Sequence, residues 1–200
     1  MTLRTRDGHP DKYLHSHWDL FPVGAGAWQQ MVGCYAHHDN NNLWRIRRLD
    51  SSEDTEDREH REDRVRDGDE VILTHEVTGR NLHSHDVPAL GDKRLRQVTE
   101  TATNHNNTKT TIANLNPLLH QVTGYGEAGR GDSNDVWVVG VSGGGALTPS
   151  SALTLTHKLL GCVLADTAKA LPKEWGYQLS QVVCSPWRRR INENYGMFVS

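Results

Sequence analysis

The sequence predicts an all-β domain assembled from three similar units, and three observations predict it. First, "YLHSHW" at 13–18 is nearly repeated as "NLHSHD" at 81–86. Second, the spacing Asp39-x-Asn41-x-x-Trp44 returns as Asp132-x-Asn134-x-x-Trp137. Third, short apolar or β-branched alternations such as "EVILTH" at 70–75 and "QVTGY" at 121–125 are punctuated by Gly, Asn and Asp, the pattern of strands and turns. No stretch sustains the i, i+3, i+4, i+7 apolar stripe of a helix over several turns. Self-similarity at this scale predicts a repeat architecture, with repeats at about 1–49, 65–141 and 151–200. Three all-β units of this size close most simply into a β-trefoil, a barrel with a triangular hairpin cap. Closure removes exposed sheet edges.

The first unit runs from "YLHSHW" to "NNNLWRI", and Leu14 and Trp44 are its expected core residues. A mixed-charge run, "DSSEDTEDREHRED", follows in an insertion at about 50–64 and reads as solvated loop. The second unit opens with Leu73-Thr74-His75 and reaches Leu82 seven residues after that histidine. The third repeats this interval from His157 to Leu164. A Thr- and Asn-rich excursion at about 99–117 splits the second unit and contains the sequon Asn106-Asn107-Thr108, a candidate glycosylation site. "GGGALTPSS" at 143–151 reads as a linker. The third unit is eroded: Ala165-Asp166-Thr167 stands where the others carry His-Ser-His, and "NENYGMFV" keeps Asn192 and Asn194 without a Trp. Val32, Val122 and Val182 correspond, as do Tyr35 and Tyr125.

Composition narrows the function classes. A formal charge of −3 with only short basic clusters gives no broad positive field for nucleic acid or anionic lipid. The N-terminal stretch lacks the apolar core of a secretory signal. The longest apolar run, "VWVVGV" at 136–141, is far too short to span a bilayer. Cys34, Cys162 and Cys184 are an odd set without CxxC spacing; one bridge plus a free thiol is compatible with it, and a structural zinc site is not expected. No nucleophile motif or triad can be assembled, so no catalytic residue, cofactor or metal is assigned. Arg130-Gly131-Asp132 spells an integrin-type tripeptide, but the repeat already accounts for Asp132.

The segments "YLHSHWDLFPVGAGAWQQMVGCYAHHDNNNLWRI", "LTHEVTGRNLHSHDVPA", "QVTGYGEAGRGDSNDVW" and "GCVLADTAKALPKEWGYQLSQVVC" resemble the MIR domain. That module is shared by protein O-mannosyltransferases, inositol trisphosphate and ryanodine receptors, and secretory proteins of the stromal-cell-derived-factor-2 type. The likeness is strongest to the lumenal MIR domain of protein O-mannosyltransferases, and within them to the second animal paralogue. It implies a β-trefoil in the endoplasmic-reticulum lumen, part of a membrane enzyme that moves mannose from dolichyl-phosphate mannose to Ser or Thr hydroxyls. The catalytic carboxylate of such enzymes lies in a loop between transmembrane helices, so the resemblance implies a non-catalytic lumenal fragment. A partner mannosyltransferase subunit belongs to the same expectation. A free-standing lumenal chaperone partner and a purely structural spacer are the other readings.

The repeated polar set is the expected ligand site: His15, His17, Tyr35, Asp39 and Asn41 in the first unit, and His83, His85, Tyr125, Asp132 and Asn134 in the second. Sugar hydroxyls need paired donors and acceptors, which His, Asp and Asn supply; the tyrosines offer apolar faces. Glycan or an acceptor polypeptide is therefore the expected ligand. In a strand the two histidines of each triplet share a face opposite Leu14 or Leu82, which turns them outward or toward a neighbouring loop. Asp39 and Asp132 have an alternative role, capping their own turns. A zinc site is the weaker reading because no third ligand is placed by the sequence and the third unit lacks the histidines. Direct histidine contacts predict ligand affinity that changes between pH ~5 and ~7.

Overall fold

A computed structural model describes residues 1–5, 11–49, 64–92 and 119–186, and the backbone strand at 197–199. The insertion at 50–63, the excursion with Asn106 and the segment with Asn192 and Asn194 lie outside the described residues. The described chain is all-β: β1 (Leu3–Thr5), β2 (Tyr13–Leu20), β3 (Gln30–Tyr35), β4 (Trp44–Arg48), β5 (Glu70–His75), β6 (Asn81–Pro88), β7 (His120–Tyr125), β8 (Trp137–Val141), β9 (Ala152–His157), β10 (Cys162–Ala170), β11 (Ser180–Pro186) and β12 (Met197–Val199). Its one 3-10 helix is a single turn, Asn40–Asn42.

One register recurs in three hairpins. Leu14 pairs with Cys34 in β2·β3, Leu82 with Gly124 in β6·β7, and Leu164 with Cys184 in β10·β11. Two residues on, Ser16, Ser84 and Asp166 pair with Val32, Val122 and Val182. Each hairpin then bulges, between Ser16 and Leu20, Ser84 and Pro88, and Asp166 and Ala170. A bulge bends and twists its strand, so the same bend recurs in each hairpin. The hairpins meet in a cycle: β3 pairs with β7, β7 with β11, and β11 with β3.

The remaining strands close the sheet. β4 pairs with β5, β5 with β8, β8 with β9, β9 with β12 and β12 with β1. The ring is completed where Met1 and Trp44 exchange backbone hydrogen bonds, Met1 N to Trp44 O at 3.0 Å and Trp44 N to Met1 O at 2.9 Å. Among the described residues the strands of this ring have partners on both sides except β4, which beyond Trp44 pairs only with β5, so little open edge is left to template aggregation. Inside lie Leu14, Leu82 and Leu164, the three valines, and Trp44 and Trp137, all almost fully buried. Each tryptophan also satisfies its indole N–H, on Leu14 O at 3.0 Å and Leu82 O at 2.9 Å.

Cys162 and Cys184 are disulfide-bonded across the third hairpin, and Cys34 is a buried free thiol. Burial raises the Cys34 thiol well above its ordinary pKa, so it stays protonated and unreactive. The stretch expected to be a linker connects β8 to β9, and it is tied to the segment before β5: Arg66 bridges to Ala146, Asp67 N donates to Gly145 O, and Leu147 packs against the core. Glycine-rich composition predicted the turn but not its hydrogen bonds to the segment before β5.

Candidate ligand-binding site

The site is built on the turn before each buried tryptophan. Asp39 caps the 3-10 turn: its carboxylate accepts from Asn41 N at 2.8 Å, and Asn42 Oδ1 accepts from Asp39 N. In the second unit Asp132 Oδ1 accepts from Asn134 N at 2.7 Å, and Asp135 Oδ2 accepts from Asp132 N at 3.0 Å. The capping reading of Asp39 and Asp132 therefore holds, and the residue three positions on, Asn42 or Asp135, completes the reciprocal box. This carboxylate-bound turn also engages the acid of the integrin-type tripeptide.

His15 and His83 do not form an outward face. Both are buried, at 4% and 3% exposure, because the hairpin packs under the capped turn. His15 Nδ1 lies 3.3 Å from Asn42 Nδ2, and His83 Nδ1 donates to Asp135 Oδ1 at 2.7 Å. Of the two sequence alternatives, the histidines turn toward the neighbouring loop. The serines between them are struts: Ser16 Oγ donates to Met31 O at 2.7 Å and Ser84 Oγ to Gln121 O at 2.9 Å. In the third unit Asp166 stands at the serine position, and it is Thr167, at the position of the outer histidine, whose Oγ1 donates to the corresponding carbonyl, Gln181 O, at 3.0 Å.

A second pair of histidines locks the turns from below. His75 Nε2 donates to Asn41 O at 3.0 Å, and His157 Nε2 to Asn134 O at 2.9 Å. Their Nδ1 atoms accept, from Thr78 Oγ1 at 2.9 Å and from Leu160 N at 3.1 Å. Each is thus the neutral Nε2–H tautomer, His75 packed at a tilt against Trp44 and His157 edge-to-face against Trp137. The repeated Leu-Thr-His motif carried this signal; its role was invisible without the fold. Asn41 and Asn134 serve through their backbone carbonyls rather than their side-chain amides.

What remains open to a ligand is the outer histidine and the tyrosine. His15 packs against both His17 and Tyr35, with ring centroids 5.7 and 5.0 Å away. His83 packs against His85 and Tyr125 at 5.0 and 5.1 Å. His17 Nε2 and His85 Nδ1 are buried ring nitrogens without a hydrogen-bond partner among the described residues. Tyr125 is exposed and Tyr35 half-buried. Burial lowers the pKa of His15 to about 4 against the pull of Asp39, and burial likewise lowers His17, His75, His85 and His157. The expected pH ~5–7 window is therefore corrected downward for His15, which stays neutral across it.

Among the described residues, His83, Asp132 and Asp135 bring donors of metal-binding type within 4.8 Å of one another. The sequence placed no third ligand; the fold supplies one. Yet Asp135 already accepts from His83, Asp132 N and Asn81 Nδ2, and Asp132 caps Asn134, so the turn accounts for each carboxylate.

A profile of the MIR domain matches residues 12–194. The chain belongs to the MIR domain family. Protein O-mannosyl-transferase 2 of Danio rerio is 42% identical over 180 residues, covering 88% of this chain and 20% of that protein. Protein O-mannosyl-transferase 2 of Drosophila melanogaster is 39% identical, covering 92% of this chain and 21% of that protein. The MIR domain described here thus spans about a fifth of the length of these relatives. Among solved structures, the Saccharomyces cerevisiae protein O-mannosyltransferase Pmt1–Pmt2 complex bound to the sugar donor superposes with a TM-score of 0.72 at 27% identity, covering 98% of this chain and 24% of that one. No described helix is long and apolar enough to cross a membrane.

Proposed function

We propose that this MIR domain is the non-catalytic, lumenal ligand-binding module of a protein O-mannosyltransferase, folded as a β-trefoil of three repeats at about 1–49, 65–141 and 151–200. The cyclic pairing of the three hairpins supports the trefoil reading. The likeness to protein O-mannosyl-transferase 2 supports the parent enzyme, its endoplasmic-reticulum location and a partner mannosyltransferase subunit. The ligand is a glycan or an acceptor polypeptide, held while the parent moves mannose from dolichyl-phosphate mannose to Ser or Thr.

One observation carries the binding reading. In both units that keep His-Ser-His, the outer histidine, itself partly exposed, carries a buried ring nitrogen with no hydrogen-bond partner among the described residues, beside the histidine that packs on Tyr35 or Tyr125. A buried polar atom left unpaired costs about 1–3 kcal/mol, and a ligand hydroxyl or amide would satisfy it. The inner network of caps and struts holds the ring rigidly, which lowers the ordering cost of binding. Titration with mannosides and with Ser/Thr-rich acceptor peptides, followed by NMR, should shift resonances of His17, Tyr35, His85 and Tyr125. Absence of shifts with both ligand classes would remove the binding role and leave a structural spacer.

A further inference from the structure

The exposed apolar residues are not scattered. Of the eight large hydrophobics that are exposed among the described residues, Trp18, Leu20, Val23 and Trp28 lie on the β2–β3 hairpin at 66, 46, 86 and 65% exposure, and Tyr177 lies on the β10–β11 loop. That loop is the hairpin's neighbour: Tyr177 packs on His17 with ring centroids 4.8 Å apart, and Trp175 packs on Phe21.

The third hairpin provides an internal control. Leu20 pairs with Gln30 as Ala170 pairs with Ser180, so the intervening loops, 21–29 and 171–179, are of equal length and register. Phe21 N donates to Gln29 O as Leu171 N does to Leu179 O, and Ala25 N to Pro22 O as Trp175 N does to Pro172 O. Trp28 and Gln178 share a left-handed backbone, with φ of 52° and 64°. The two loops therefore share their length and closing hydrogen bonds, but the hairpins do not share every backbone angle: Gly24 and Gly26 have positive φ in the first, Ala168 and Tyr177 in the third. Where the first hairpin exposes Trp18, Leu20, Val23 and Trp28, the third has Ala168, Ala170, Lys173 and Gln178, all exposed. All four side chains of the first hairpin lie outside its core, so they are apolar where exposure is unfavourable and the core does not require them.

The first loop is also held rigid. The buried Gln121 donates from Nε2 to Ala25 O at 3.1 Å and accepts on Oε1 from Ala27 N at 2.9 Å. A side chain at Gly26 would occupy the space of this glutamine. Phe21, Met31, Leu171 and Leu179 form a separate small core beneath it. Rigid, exposed tryptophans flanked by aliphatic residues are the composition of a protein-binding hot spot. Sugar platforms need aromatic faces with polar neighbours, which Leu20 and Val23 do not supply.

We propose that the β2–β3 hairpin, through Trp18, Leu20, Val23 and Trp28, docks this domain on an apolar protein surface of the O-mannosyltransferase that contains it. This rests on the parent enzyme proposed above. The occupant is argued from length: the matched relatives are about five times as long as this domain, since it covers 20% and 21% of them, so most of such an enzyme lies outside it.

The test compares hydrogen exchange of amides 21–29 in the isolated 200-residue chain and in the full-length enzyme. Docking predicts exchange about tenfold slower or more in the full-length enzyme. The variant Trp18→Ala/Leu20→Ala/Val23→Lys/Trp28→Gln carries the residues of the corresponding exposed positions in the third hairpin. It should keep the thermal midpoint of the isolated chain and abolish the protection. Equal exchange in both forms overturns the proposal. So does a dimer of the isolated chain that the variant dissolves, which would make a second copy the occupant, or co-sedimentation with phosphatidylcholine vesicles that the variant abolishes, which would make it lipid. Photo-crosslinks from position 28 to residues 93–118 would overturn it as well. The mass of the native gene product reports independently whether a larger enzyme exists. Ligand titration at His17 and His85 reports independently on the binding site.

Discussion

Asp135 shows how much one side chain decides. It stands where the first unit has Asn42, and both are buried. The amide is neutral there, whereas the carboxylate is held by His83, Asn81 and the Asp132 backbone. Asp135→Ala removes three acceptor interactions from a buried site and should lower stability by about 2–3 kcal/mol in urea unfolding. Asp39→Ala, at a more exposed cap, should cost about 1 kcal/mol; a larger loss at Asp39 than at Asp135 would contradict this ordering. The caps, the buried tryptophans and the core leucines were legible in the sequence because their spacing repeats. The roles of Asn42, Asp135, His75 and His157 were not, since each depends on a carbonyl or carboxylate brought by a distant strand.

At the scale of elements, the third hairpin has lost its histidines but carries the disulfide. Cys162 and Cys184 are 22 residues apart, and closing a loop of that length restricts the unfolded chain by about 3 kcal/mol. Cys162→Ala/Cys184→Ala should therefore lower the unfolding free energy by roughly that amount while leaving shifts of the first two hairpins unchanged in NMR spectra. Global loss of those shifts would show that the bridge is required for the fold itself. The all-β character and the strand positions followed from short alternating runs. The linker at 143–151 does connect β8 to β9, but its hydrogen bonds to the segment before β5 were not legible, because composition takes no account of what a neighbouring segment supplies.

For the whole molecule, the buried histidines set the response to acid. His15, His17, His75, His85 and His157 all have pKa values lowered by burial, His15 to about 4. In the unfolded chain they protonate near pH ~6.5, so below that the unfolded state binds protons that the folded state resists. Their contribution to stability is complete above pH ~6.5 and is lost as the pH falls toward ~4. The urea midpoint should drop steadily over that interval, and a midpoint that is flat or rises on acidification would contradict the burial argument. By itself the sequence determined the strand-rich class, the repeated registers of Leu, Val and Trp, and the two polar sets, because periodicity and spacing are local properties. Tertiary structure decided which of those polar residues are structural and which are open. It buried His15 and His83 under their turns, left His17 and His85 with unpartnered nitrogens, and exposed the tryptophans of one hairpin. Burial is set by which strands meet, and strand pairing across the chain is not written in local spacing.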